Sequence, residues 1–206
     1  MKYLISALLS VALLFSLTSC KSDSDIEVED STPIESNAQD ELSLEPNNST
    51  INWELKYYVD EFKEPTEEWY ISNSEPFWGE FSNTATEGSE VAVNLLIDAE
   101  VLSVVLYEYG TDQVKNIFYN DDIDYNITVR LPDGTDYETT GFMYGKNKAG
   151  DRIFIESPGK DYILEALQGT GELKFIVQDT SDSFTQYLFT VQASNFSEVY
   201  KTVETA

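Results

Sequence analysis

Acidic side chains are the one abundant group in this chain that could bind a metal ion or perform acid–base chemistry. The 206 residues include 38 acidic and 12 basic residues, no histidine and one cysteine, and the net charge is −26. Zinc, haem, iron–sulfur and histidine-dependent nucleophilic sites need several His or Cys residues, so the composition excludes them. A chain this acidic repels a phosphate backbone, which excludes nucleic acid as a partner.

The strongest candidate for a metal site is a short acidic segment that contains Asp121, Asp122 and Asp124. Counted from Asp122, oxygen-bearing side chains recur at every second position, as they do in a calcium-binding loop. However, Ile127 stands where that loop needs glycine, and Arg130 would place a cation beside the metal. A strand with one solvated face explains the same spacing and is favoured. A looser Ca²⁺ site formed by Asp121, Asp122 and Asp124 is the alternative.

The segment 69–81 carries five aromatic residues, which could bind a sugar or a protein partner. Most of them are expected to fill the core, because large apolar side chains are usually buried. Tyr70 and Trp78 flank a loop of Ser, Asn and Pro residues. We therefore predict a binding surface at Tyr70 and Trp78.

Two further groups could act on a ligand. Glu108 follows a largely apolar run, where burial would raise its pKa, although a position in solvent at the strand's end is favoured. Lys146, Lys148 and Arg152 form a basic spot that could accept an anion, although a solvated hairpin tip is favoured. The region from Trp53 onward holds 29 acidic residues, so many carboxylate pairs would meet glycosidase spacing by chance.

The elements that must position these residues are mostly strands, because apolar residues recur with a period of two from Trp53 onward. The clearest strands are expected at 53–59, 91–97, 101–109, 125–131, 153–155, 173–177 and 187–191. Short helices are expected at Tyr162–Leu167, after Ser157-Pro158 as its N-terminal cap, and at Phe196–Val203. This pattern predicts a mainly β fold for residues 53–206, a single antiparallel β-sandwich of about nine strands.

The N-terminal residues have the pattern of a targeting signal. An apolar run from Leu4 to Leu17 is too short to span a membrane and is typical of a signal peptide. It ends in Leu17-Thr18-Ser19-Cys20, which resembles the lipobox of bacterial lipoproteins. The resemblance implies that residues 1–19 are cleaved, that Cys20 carries lipid with palmitate-type acyl chains, and that the protein is an outer-membrane lipoprotein.

Residues 21–52 hold nine acidic residues, one basic residue and no aromatic residue, so we predict that residues 20–52 form a disordered tether. The acidic cluster after Cys20 is similar to the export signal of surface-exposed lipoproteins in Bacteroidota-type bacteria, which implies exposure on the cell surface. A solvated tether is the alternative explanation of the cluster.

The layout of the domain, a leading Trp strand and a closing strand followed by Asn195-Phe196, is similar to that of sandwich domains of the invasion-associated locus B type. The resemblance implies no site residues. Taken together, the sequence favours a non-enzymatic envelope lipoprotein that binds a glycan or a protein and has no cofactor apart from its lipid. The alternatives are a carboxylate-based glycoside hydrolase and a Ca²⁺-stabilised adhesion module.

Overall fold

Alternating apolar and polar residues produce a long series of antiparallel strands. The computed structural model describes residues 52–204. Its strands are β1 Trp53–Val59, β2 Pro65–Asn73, β3 Phe77–Ser82, β4 Ser89–Ile97, β5 Leu102–Glu108, β6 Asp112–Gln113, β7 Ile123–Arg130, β8 Asp136–Met143, β9 Ile153–Ile155, β10 Glu172–Asp179 and β11 Gln186–Gln192. The helices are α1 Gly159–Leu167 and α2 Phe196–Glu204.

Eight of these strands close into a ring. In order around the ring they are β3, β4, β5, β9, β8, β7, β10 and β11, and β11 pairs again with β3. The mainly β antiparallel fold is confirmed, but the expected sandwich is corrected to a closed barrel with three additional strands. The β5–β9 and β3–β11 pairings join edges that a sandwich would leave open, and closure removes exposed strand edges from the ring.

The core fills the inside of the ring. Every ring strand contributes buried inward residues, and α1 and Phe196 of α2 add apolar side chains to the same cluster. The rings of Phe175 and Phe189 stack at 5.0 Å across β10 and β11. Because the inward positions alternate along each strand, the outward positions remain available to form a surface.

The hairpin of β1 and β2 lies outside the ring and is attached to it by a short pairing of β2 with β4 and by two asparagine side chains. Asn73 is buried, and its side chain bonds the backbone of β4 by accepting the Leu95 N–H at 2.7 Å and donating to the Val93 carbonyl oxygen at 3.3 Å. Asn195 accepts the Trp53 backbone N–H at 2.7 Å and donates to the Trp53 carbonyl oxygen at 3.1 Å. These amides supply the hydrogen bonds that strand pairing does not.

The ring has two ends, which we name by the elements found there. At the loop end, β3, β5, β8 and β10 finish and β4, β7 and β11 begin. At the helix end, β9 and β11 finish and are followed by α1 and α2. No helix in residues 52–204 has the length and apolar character needed to cross a membrane.

Most of the predicted elements are confirmed within the described range. The hairpin of β4 and β5, the turn at Gly134 and both helices lie where they are expected. The predicted cap is wrong, because Pro158 and not Ser157 occupies the N-cap of α1 and makes no side-chain bond there. The signal peptide, Cys20 and the tether up to residue 51 lie outside the described residues.

Candidate functional site

An open groove of about 400 Å³ crosses the outer surface of the ring. Strands β3, β11, β10 and β7 form it, and their outward residues project into it because alternate residues of a strand face opposite sides. Ile176 and Leu188 are cross-strand partners and provide an apolar floor. The groove runs from the middle of the wall toward the helix end.

Trp78 is the largest side chain in this groove, and 52% of its surface is exposed. Its six-membered ring lies over Gly110, where an added Cβ would come within 3.2 Å of two ring carbons. Gly110 also has a φ of +76°, which favours glycine. The turn after β5 therefore leaves room for the indole and supports one side of it.

The polar part of the groove contains two neighbouring cations. Lys174 and Arg130 are cross-strand partners on β10 and β7. Arg130 donates from Nε and Nη2 to the two carboxylate oxygens of Asp136, at 2.7 and 2.8 Å, and these bonds hold the pKa of Asp136 below its usual range. Lys174 takes part in none of the ion pairs within 4.0 Å that residues 52–204 contain.

Tyr70 does not share this surface with Trp78. Both residues lie on the outer face of the sheet, but their strands pair with different stretches of the same edge of β4, because β5 pairs with its other edge. The registers Ser72↔Leu96 and Trp78↔Ala92 place Tyr70 and Trp78 six strand residues apart, or roughly 20 Å along β4. Tyr70 instead contacts Tyr58, with ring centroids 4.9 Å apart.

The three predicted calcium ligands lie at the start of β7, as the strand interpretation requires. The carboxylate of Asp122 accepts the Gly145 N–H at 2.9 Å, and the Asp124 carbonyl oxygen accepts two bonds from Thr180. Between residues 52 and 204, no group of three His, Cys, Asp or Glu side chains is close enough together to hold a metal ion. The calcium site stays a prediction.

The predicted basic spot lies in the connection between β8 and β9, next to a loop that the sequence reasoning missed. Arg152 pairs with Asp151 at 2.8 Å, whereas Lys146 and Lys148 lie in a 3₁₀ turn. The neighbouring loop between β6 and β7 exposes Ile117, Phe118 and Tyr119. Three consecutive apolar residues between polar ones were the signal in the sequence.

Glu108 lies at the loop end of the ring interior and is half-buried. Tyr187 donates its hydroxyl hydrogen to a Glu108 carboxylate oxygen at 3.0 Å. Burial raises the pKa of Glu108, the Tyr187 hydrogen bond opposes this rise, and Asp112 adds to it. Burial and the nearby Glu108 also raise the pKa of Tyr187 above its ordinary range. Glu108 is thus an interior group, away from the groove.

Because its folded pKa is raised, Glu108 should make stability depend on pH. We expect the free energy of unfolding of the wild type, relative to that of Glu108→Gln, to be highest below about pH 4.3, the unfolded pKa of Glu, and to fall as the pH rises through the folded pKa. Urea titrations of both proteins from pH 4 to 8 measure this difference. Tyr187→Phe should steepen the fall because it removes the opposing hydrogen bond. A difference that stays constant with pH would contradict the prediction.

The chain was compared with protein-family models, with curated proteins and with solved structures, and none of them matches it. The resemblances to a lipobox, to a surface-export signal and to the invasion-associated locus B type therefore stay predictions.

Proposed function

We propose that this protein is an envelope lipoprotein whose β-barrel domain binds an oligosaccharide in the groove at Trp78 without cleaving it. The observation that carries the proposal is a half-exposed indole beside an apolar floor, in a groove of about 400 Å³. This volume falls within the range of small-ligand sites, roughly 300–1,000 Å³.

A sugar ring fits the chemistry of this groove. One face of a pyranose is apolar and packs on an indole, while its hydroxyl groups need hydrogen-bond partners around the edge. Thr128 and Thr190 line the groove beside the apolar floor, and the Arg130–Asp136 pair lies at its end. Lys174, which makes no ion pair with any residue in the range 52–204, offers a partner for a carboxylate or phosphate substituent on the sugar.

The carboxylates favour binding over hydrolysis. A glycoside hydrolase needs a carboxylic acid with a raised pKa and a second carboxylate within about 5–9.5 Å. Asp136 in the groove is held by Arg130 with a lowered pKa, which is unsuited to a general acid. Glu80 also lines the groove, but β11, β10 and β7 lie between its strand and that of Asp136, which places the two roughly 19 Å apart and beyond that spacing. Glu108, whose pKa is raised, lies inside the ring. The hydrolase and the Ca²⁺-stabilised adhesion module remain the alternatives.

The proposal also includes the localisation of the protein. Removal of residues 1–19 and lipidation of Cys20 would anchor the chain in the outer membrane, with exposure on the cell surface as the favoured orientation. Residues 20–52 would then act as a tether, whose 32 residues after Cys20 reach about 110 Å when fully extended. This length would let the groove meet ligands well clear of the lipid.

Replacing Trp78 by alanine tests the binding site. On an array of acidic and neutral oligosaccharides from bacterial envelopes, followed by titration calorimetry of the bound sugars, we expect Trp78→Ala to weaken binding by about tenfold or more, because stacking on the indole is lost. Lys174→Gln should weaken binding of acidic sugars alone. Tyr57→Ala is the matched control, since Tyr57 is about as exposed as Trp78 but lies on β1. Equal binding by the wild type and Trp78→Ala, or no bound sugar, would contradict the proposal.

A further inference from the structure

The loop between β6 and β7 presents a short apolar tip to solvent. Ile117, Phe118 and Tyr119 are consecutive and are 59%, 77% and 64% exposed. Single exposed apolar residues are common on protein surfaces, whereas a contiguous group marks a contact site. The loop leads into β7, which begins at the loop end of the ring, whereas the groove at Trp78 runs toward the helix end.

The tip is held in place by hydrogen bonds at its base. The buried side chain of Asn116 donates to the Asp121 carbonyl oxygen at 2.9 Å and accepts the Tyr119 N–H at 3.0 Å. The Asn116 N–H donates to the Gly150 carbonyl oxygen at 2.8 Å, and the Lys146 N–H donates to the Tyr119 carbonyl oxygen at 3.0 Å. A partner would therefore meet a preformed tip, which lowers the entropy lost on binding.

Lysines surround the tip in a domain that is otherwise strongly acidic. Lys115 precedes it in the chain, and Lys146 and Lys148 lie in the adjoining connection. Within the range 52–204, none of these lysines forms an ion pair within 4.0 Å. Asp121 and Asp122 follow the tip, and the Asp122 carboxylate is engaged by the Gly145 N–H. Lys148 Nζ lies 5.3 Å from the centroid of the Tyr144 ring, and Lys115 lies near enough to Asp151 to lower the pKa of that carboxyl. Neither contact is an ion pair, so these ammonium groups can still meet anions.

We propose that this tip is a second membrane contact, in which Ile117, Phe118 and Tyr119 enter the interface of a lipid bilayer and the lysines bind anionic headgroups. A protruding tip inserts into a fluid interface, whereas the centre of a protein interface is usually a flat or concave packed patch. Aromatic residues favour the headgroup region, and lysines near it gain from anionic lipid. This contact is independent of the oligosaccharide groove and of lipid on Cys20.

A neighbouring hairpin gives the contact more area. Phe184 is exposed in the turn between β10 and β11, which reaches the same end of the ring. This turn is bound to β7 just beyond the tip, because the Thr180 N–H and hydroxyl both donate to the Asp124 carbonyl oxygen at 3.0 Å. Two apolar tips at one end of a barrel would orient the domain with this end on the bilayer, so that the groove opens to the side, on the half of the wall farther from the lipid.

Vesicle flotation tests the contact in a chain of residues 21–206, which lacks both the apolar run and Cys20 but keeps the whole ring and its core. The probes are neutral vesicles of phosphatidylcholine alone and anionic vesicles that also contain about 30% phosphatidylglycerol. We expect Phe118→Ser to reduce binding roughly tenfold, because a buried phenyl ring is lost. Phe62→Ser is the matched control, since Phe62 is 76% exposed, in the turn between β1 and β2. It should leave binding unchanged.

Two more readouts separate insertion from other contacts. The double variant Lys146→Glu, Lys148→Glu should lose binding mainly to the anionic vesicles. Tryptophan placed by Phe118→Trp should gain fluorescence that brominated lipids quench. The proposal is overturned if the wild type does not float with either vesicle, if Phe118→Ser and Phe62→Ser float equally, or if Phe118→Ser loses a protein partner from envelope extract while its vesicle binding is unchanged.

Discussion

Replacing Gly79 by alanine is expected to open the ring and to lower the free energy of unfolding by about 3 kcal/mol. An added Cβ would overlap the Leu188 carbonyl oxygen and lie 2.7 Å from the Phe189 Cβ. Neither group can rotate away, because both are fixed by the pairing of β3 with β11. This pairing closes the barrel, so the strands would have to separate where the ring is joined.

Chemical denaturation of the wild type and Gly79→Ala measures this loss. Gly134→Ala is the control, because Gly134 has a φ of +89° but nothing within 4 Å of an added Cβ. That variant should cost only the backbone strain of about 1 kcal/mol. If the two variants lose the same free energy, close approach of β11 is not what requires glycine at position 79.

Replacing Trp53 by alanine is expected to cost about 3–5 kcal/mol. Trp53 is 2% exposed, and its indole packs against Phe77 and Phe196, with ring centroids 5.7 and 5.0 Å away. Its Nε1–H donates to the Gln192 carbonyl oxygen at 3.0 Å. Alanine would leave a cavity between β1, β3 and α2 and an unpaired carbonyl oxygen, so the β1–β2 hairpin should loosen from the ring.

Two variants show which part of Trp53 matters. Trp53→Phe keeps an aromatic ring but loses the hydrogen bond to Gln192, so we expect an intermediate cost of about 1–2 kcal/mol. Trp78→Ala removes an equally large but exposed side chain and should cost less than about 1 kcal/mol. Thermal unfolding followed by circular dichroism compares the three. A loss for Trp53→Ala no larger than that for Trp78→Ala would contradict the structural role of Trp53.

The strands could be predicted from the sequence because their signal is local. The apolar runs on either side of Asp98-Ala99-Glu100 predict a central hairpin, and β4 and β5 form it. Gly134 in a polar turn predicts a positive φ, which the structure has. In each case the residues that decide the conformation are neighbours in the chain, so pattern and turn chemistry are sufficient.

Ring closure could not be predicted in the same way. A sandwich and a barrel have the same alternation in every strand, and they differ only in which edges pair. The deciding pairs are β3 with β11 and β5 with β9, whose members are far apart in sequence. Gly79 allows the close approach of β11 to β3, but the residues around it in the sequence do not show which strand approaches.

For the candidate site too, the sequence identifies aromatic residues but not which residues they lie beside. The sequence singles out Tyr70 and Trp78 in a cluster of five aromatic residues, but their side chains lie in separate places because β2 and β3 pair with different stretches of β4. The partners of Trp78 in the groove come from β7, β10 and β11. A groove on a sheet forms between side chains of neighbouring strands. The periodicity of a single strand does not show which strands are its neighbours.

By itself, the sequence determined the composition, the excluded chemistries and the positions of most strands, because these depend on residue types and on neighbours in the chain. Only the tertiary structure decided that the sheet closes, that Trp53 is core while Trp78 lines a groove, and that Ile117–Tyr119 form a tip beside three lysines. Those properties depend on which distant segments approach one another. That choice is made by the packing of the whole ring around its core.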